Sequence, residues 1–370
     1  MSEPNSSSPF SKGGFDPKKL DRARQVLESH VQNRTTPGAV GLIVRHNSEI
    51  ACFAVGKHTY DPHAPIVQPN TLYDLASVTK VVATATLCLI FAHQGKLDLD
   101  APVQTYVPTF TGVGTHRVTI RHLLAHCGGL PAHVHLYKTH HTRTEILSAV
   151  CKLDLAYEPG TNTIYSDMGF LLIGMALETI GKNSLDHLTK QHIFDPFGMA
   201  ETMYCPPPDL LPRIPPTEIK TNLRTGLVHG EVHDENAASI GGVASHAGLF
   251  ATASNLGQFL RVYLSNGLLN NKRVLPTEGI RQFTTRANLA PNSTWALGWD
   301  TVSPGGSTTG CYFSEKSFGS LGFTGTSLWA DPTRDLGVVL LTNRVHPTRD
   351  NAQIKQLRPE FHDAISEALL

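Results

Sequence analysis

The strand-like segments of this chain lie toward its two ends, and that placement most constrains its fold. Near the start, Ala39 to Val44 and Ile50 to Val55 are short apolar runs rich in β-branched residues. Arg45-His46-Asn47-Ser48-Glu49 between them reads as a hairpin turn. In the last third, Thr294 to Asp300, Gly322 to Asp331 and Leu336 to Asn343 read as further strands. From Ser77 to about residue 200 the periodicity is mostly helical, clearest at Ser77–His93 (ending at Gly95), Ile120–Ala125, Thr144–Cys151 and Met168–Ile180. Amphipathic helices are expected over residues 17–33 and Pro359–Leu370, and another over Ala253–Leu264. Each element must bury an apolar face against another. The pattern therefore predicts an α+β fold: an antiparallel sheet of five or more strands, flanked by helices, with a mostly helical inserted subdomain. Residues 1–16 are polar and read as a flexible tail. Residues 17–370 read as one unit, with a sheet part over about 17–72 and 245–370 and a helical part over about 73–244.

Composition excludes several partners. Lys and Arg total 31 and so do Asp and Glu, so no basic footprint for nucleic acid is expected. The longest apolar stretch in the middle, Leu87 to Ala92, is far short of a membrane span, and no integral membrane segment is expected. The first residues lack the apolar core of a secretory signal, which suggests a cytoplasmic protein. Six scattered cysteines without CxxC spacing read as free thiols.

Ser77-Val78-Thr79-Lys80 carries the sharpest chemical signal. Residues three apart share one face of a helix, so the hydroxyl and the amine can meet. A serine at a helix start can aim its own N–H at a developing oxyanion. A lysine beside it, in a dry site, can lose its proton and act as a base. Asp74 precedes the helix, where an acid suits the positive end of the dipole.

Other motifs follow in order: Thr119-Ile120-Arg121-His122-Leu123-Leu124-Ala125-His126, Gly128-Gly129-Leu130-Pro131, Tyr165-Ser166-Asp167, and Gly322-Phe323-Thr324-Gly325-Thr326. With these, the chain resembles the serine β-lactamase and penicillin-binding-protein superfamily, in its class C β-lactamase-like branch. The resemblance spans about residues 20–365 and implies a β-lactamase/transpeptidase-like fold. It implies Ser77 as an acylated nucleophile, Lys80 as its base partner, and Tyr165 as a second acid/base. The backbone N–H groups of Ser77 and Thr326 would form the oxyanion hole. Thr324 and Gly325 would lie on the third motif's strand, and Asn343 and Arg344, with Arg349, would contact substrate. No metal and no cofactor are implied; the partner is a small ester, amide or peptide. Oligomeric state is not legible.

Two departures from that pattern stand out. Phe323 occupies the place of a usual Lys or His, which removes a cation beside the tyrosine. Asp167 replaces a usual Asn, and a carboxylate near Lys80 favours the charged amine. Lys80 is then expected protonated against Asp167, with Tyr165 the base for Ser77. The site should attract anionic β-lactams poorly and turn over neutral esters or amides better. A peptidoglycan-fragment hydrolase, either a D-amino-acid peptidase or a muropeptide amidase, is the alternative enzyme. A non-catalytic penicillin-binding sensor is the alternative without turnover.

The 19 histidines read mainly as scaffold. His122 and His126 have a metal-compatible spacing but no flanking Glu, and packing is the simpler role. His133, His135, His140 and His141 read as a solvated loop. His233-Asp234-Glu235-Asn236 and the glycine-rich Gly241–Gly248 around His246 read either as substrate contacts or as a structural loop.

Overall fold

The computed structural model describes residues 12–370. The expected tail falls outside the described residues as far as residue 11. Beyond that point the chain is packed: Phe15 is buried and bridges Leu369, and Asp16 caps the helix Pro17–Gln32.

Six antiparallel strands form the main sheet. In spatial order they are Ser48–Gly56, Gly38–Arg45, Leu336–Thr342, Ser327–Asp331, Phe318–Leu321 and Asp300–Thr301. The hairpin turns at His46 and Asn47, both at positive φ, as a tight two-residue turn requires. The last strand of the sequence inserts beside the first, pairing Leu42 with Val339. Both faces of this centre are covered, so its strands are apolar throughout. Val40, Leu42 and Val44 face a core shared with Ala253–Leu264 and the helical region. Ala39 and Ile43 face the opposite way, onto Pro17–Gln32 and Ile354–Glu367. At Gly41 a Cβ would lie 2.5 Å from the Phe361 ring, so the closing helix packs directly on the backbone there.

A second sheet joins Tyr73–Asp74, Leu249–Ala251 and Thr202–Tyr204. It fixes the chain just ahead of Ser77. The helical run Ala76–His93 that follows is apolar and long enough to cross a membrane by composition, but it is mostly buried inside the protein. It widens into a π-helical stretch over Lys80–Ala85, a feature often found at functional sites.

Some expected elements differ. Within Thr294–Asp300 only Asp300 pairs, because the Ala296 amide bonds to the nearby Trp299 carbonyl and the Leu297 and Gly298 amides bond to the Phe283 and Leu124 carbonyls of other segments. Thr324 and Gly325 lie in the turn between two strands rather than on one. The closing helix starts earlier than expected, at Ile354, and carries Pro359 inside it. The short helices Glu235–Ser239 and Thr277–Thr284 lie where the sequence shows no clear helical run. All six cysteines are unpaired.

His362 in the closing helix is fully buried against Phe313, with Nδ1 bonded to the Thr308 carbonyl at 3.1 Å. Burial pushes its pKa down to about 4. The unfolded chain therefore takes up a proton below about pH 6.5 that the folded chain refuses until near 4. Stability from this group is present above the unfolded pKa and is lost as pH falls. Urea unfolding at pH 7 and pH 4.5 should show His362→Gln escaping about 2–3 kcal/mol of the wild-type acid loss.

Candidate active site

Ser77 is presented by a braced turn. Ala76, just before it, sits at φ 47°, a left-handed conformation uncommon for a residue with a Cβ. The buried Asp74 carboxylate holds this turn: Oδ1 accepts the Ala76 N–H at 2.8 Å and Oδ2 accepts the His233 N–H at 2.7 Å. From the far end of the chain, Thr324 Oγ1 donates to the Asp74 carbonyl at 2.7 Å and Thr326 Oγ1 to the Leu75 carbonyl at 2.9 Å. The backbone amides of Ser77 and Thr326 have no hydrogen-bond partner among the described residues. Gly325 is required where it stands: φ is 106°, and a Cβ would meet Thr342 Oγ1 at 2.0 Å.

Lys80 is 2% exposed and donates to three oxygens. They are Ser77 Oγ at 3.0 Å, Asp167 Oδ1 at 2.7 Å and the His246 carbonyl at 3.1 Å. Burial opposes its charge, but the Asp167 carboxylate outweighs burial and holds the amine above its ordinary range. Asp167 is likewise held well below the carboxylate range: burial is overcome by Lys80, His133 and His246. The resting pair is therefore ammonium and carboxylate, as the sequence suggested.

Tyr165 lies over this pair, with Lys80 Nζ 4.7 Å from its ring centroid. One side of the ring faces the cleft while the hydroxyl end is desolvated beside Lys80 and Ser77. That desolvation pushes the phenol above its usual pKa despite the pull of Lys80. Tyr165 at rest is thus a phenol. His126 supports it from below at 4.6 Å between ring centroids, and Trp295 adds a wall 5.5 Å away. His126 Nδ1 accepts the Ser166 N–H at 3.1 Å, and burial drives its pKa down to about 3. It is a neutral scaffold, as expected.

The cleft in front of Ser77 has a volume of about 450 Å³ and is walled by Tyr165, Trp295, Phe323, Arg344 and Arg358. The region of Phe323 corrects one expectation: it is not without positive charge. The Arg344 guanidinium lies 4.5 Å from the Phe323 ring centroid and Arg349 lies 5.8 Å away, in cation–π range. Arg344 donates through Nε to the Phe323 carbonyl and through one terminal nitrogen to the Arg349 and Asn351 carbonyls. Its other terminal nitrogen has no partner among the described residues. Arg349 is instead bound at both sides, by Glu218 at 2.7 Å and Glu235 at 2.6 Å.

Three residues expected at the substrate side are buried braces. His233 bonds Glu218 at 3.0 Å, His246 bonds Asp234 at 2.9 Å, and Asn343 Nδ2 donates to the His58 and Pro216 carbonyls. Each is at most 3% exposed, because its polar atoms tie segments together behind the cleft. Asp167 also faces Lys80 rather than the cleft. Conversely, His133, expected in a solvated loop, reaches Asp167 Oδ2 at 3.1 Å. Arg358 and Trp295 carried no sequence signal; both lie outside the motifs. His133, Asp167 and Asp234 place one ligand atom each within 4.8 Å of one another. Those carboxylates already accept from Lys80, His133, His246 and the Ala237 N–H. A dication there would face the Lys80 ammonium, so the cluster reads as a charge network.

The comparisons bear on family and fold. A family model described as Beta-lactamase matches residues 23–361. A Salmonella typhimurium protein named "Putative D-alanyl-D-alanine carboxypeptidase" is 30% identical, the match covering 92% of this chain and 86% of that protein. A penicillin-binding-protein homologue from Caulobacter crescentus superposes with a TM-score of 0.73 at 19% identity, covering 95% of this chain and 99% of its own. EstCE1, described as a hydrolase with promiscuous acyltransferase activity, superposes at 0.77 and 19% identity, covering 94% and 99%. The matched span contains the braced Ser77 turn, the buried Lys80 pair and the Thr324–Thr326 turn, and the chain belongs to the β-lactamase family.

Proposed function

We propose that this protein is a serine hydrolase that cleaves ester or amide bonds through an acyl-enzyme on Ser77. The observation that carries this reading is the 3.0 Å contact from Lys80 Nζ to Ser77 Oγ, set beside the unpartnered amides of Ser77 and Thr326. At rest Lys80 and Tyr165 are both protonated. In the reactive form this couple holds one proton fewer, that proton having passed to solvent. Ser77 Oγ then bonds to the carbonyl carbon and its hydroxyl proton passes to the couple. The carbonyl oxygen becomes an oxyanion received by the two amides. The couple returns the proton to the leaving oxygen or nitrogen as its bond to carbon breaks. Water attacks the acyl group in the second half, gives its proton to the same couple, and Ser77 departs as the hydroxyl.

Phe323, 48% exposed at the cleft, supports neutral esters or amides as substrates, with weak action on β-lactams. Arg344 favours a second reading. Its free terminal nitrogen suits a substrate carboxylate, as in a peptide ending in a D-amino acid, and the curated relative's name points the same way.

A fluorophosphonate probe should label Ser77 in the wild type and nothing in Ser77→Ala. An unlabelled Ser77, beside a control hydrolase that reacts, removes the acyl-enzyme reading. Tyr165→Phe should lower kcat on a p-nitrophenyl ester by about 10²–10⁴-fold.

The substrate readings separate by kcat/KM on that ester, a penicillin and a D-alanyl-D-alanine peptide. Penicillin turnover of about 10⁴ M⁻¹s⁻¹ or more, typical of a good enzyme, would overturn weak β-lactam action. If the peptide is the substrate, Arg344→Ala should raise its KM by about tenfold or more, and raise that of the neutral ester far less.

A further inference from the structure

The contacts around Lys80 continue past Asp167. Ser77 Oγ, Lys80 Nζ, Asp167 and His133 Nδ1 form one series, with successive distances of 3.0, 2.7 and 3.1 Å. Its outer end is open to water, since the His133 side chain is 28% exposed. Because Asp167 is a carboxylate, the 3.1 Å contact makes His133 Nδ1 the donor. Lys80 and Asp167 alone cancel, +1 against −1. With His133 protonated the trio carries one net positive charge behind the nucleophile.

We propose that His133 is a positioning residue for Lys80: protonated, it draws on the far oxygen of Asp167, loosens that carboxylate's hold on the Lys80 ammonium, and leaves the trio net positive toward Ser77. The inference rests on the acyl-enzyme reading above and specifies how that site is tuned. Loosening eases the loss of the proton that the Lys80–Tyr165 couple must shed. The net positive charge favours the oxyanion. His133 itself gives no proton to substrate.

The surroundings of His133 are mixed but favour its charge. Asp167 faces it from the helix Asp167–Gly181, while Asp234 and Glu235 face it from the N-terminal end of the helix Glu235–Ser239. His135, in its own loop, lies 5.0 Å away between ring centroids. Glu235 is engaged by Arg349 at 2.6 Å and Asp234 by His246 at 2.9 Å. Asp167 is thus the partner left for His133. That hydrogen bond, against half-burial, raises the imidazole above its ordinary value.

The sign follows. Activity that depends on the imidazolium is lost as pH rises through the His133 pKa. The couple's own proton loss raises activity with pH, so the ester kcat/KM of the wild type, followed from pH 5 to 10, should rise and then bend over into a flat alkaline limb with its midpoint above about 6.5. In His133→Gln that limb should vanish, and kcat/KM at pH 6 should fall by about tenfold. His133→Lys, a fixed cation, should restore activity at pH 6 and carry its plateau to higher pH. NMR titration gives a readout apart from turnover: the His133 midpoint should move down in Asp167→Asn. A limb that keeps its midpoint in His133→Gln, or a His133 midpoint unmoved in Asp167→Asn, overturns the proposal. The two readings fail separately. An unlabelled Ser77 ends the acyl-enzyme reading, whereas a labelled Ser77 with an unchanged pH profile ends only the role of His133.

Discussion

The ion pair between Lys80 and Asp167 governs the molecule's centre. Two opposite charges buried 2.7 Å apart give up their hydration, and such a pair is tolerable only when its remaining polar valences are satisfied. The structure spends a large part of its middle region on that requirement. The His246 carbonyl accepts one Lys80 N–H, Ser77 Oγ accepts another, and His133 donates to the far oxygen of Asp167. The glycine-rich Gly241–Gly248 segment and the helix Asp167–Gly181 meet at this point because each delivers one of these partners. The same arrangement makes Ser77 chemically interesting, since its hydroxyl is one of the three acceptors the ammonium has.

The scaffold solves a matching problem of position. The two edges of the cleft come from opposite ends of the sequence, and the main sheet brings them together by placing Leu336–Thr342 between Gly38–Arg45 and Ser327–Asp331. Both faces of the central strands are buried, so they slide out of register only by exposing a full row of apolar side chains. The turn Gly322–Thr326 thus arrives beside Ser77 with the accuracy of the sheet rather than of a loop.

Much of this was legible in the sequence, and the reasons are local. Strands buried on both faces, such as Gly38–Arg45 and Leu336–Thr342, are continuous apolar runs with clear ends. The Ser77–Lys80 spacing fixes its own geometry, since helical pitch alone brings the two together. Asp167, 87 residues on, announced a charged Lys80 only through the motif order that the family resemblance supplied. What remained hidden depends on distant segments. Nothing near Phe323 says that Arg344 folds back over its ring. His133 looked like one of several loop histidines, and its partner is a residue on another element. His233, His246 and Asn343 were polar residues in plausible places, yet burial turned them into braces. Thr294–Trp299 had strand composition, but its Leu297 and Gly298 amides found partners on Phe283 and Leu124 instead of on a neighbouring strand.

The cross-links from Thr324 and Thr326 to the carbonyls of Asp74 and Leu75 join residues 250 and 251 positions apart. Their meaning is temporal as well as spatial. A chain still leaving the ribosome carries Ser77 and Lys80 early, but the amide of Thr326 does not exist until most of the protein has been made. The central sheet waits longer still, for Leu336–Thr342. On the acyl-enzyme reading, Ser77 therefore lacks its second oxyanion donor until most of the chain has been made.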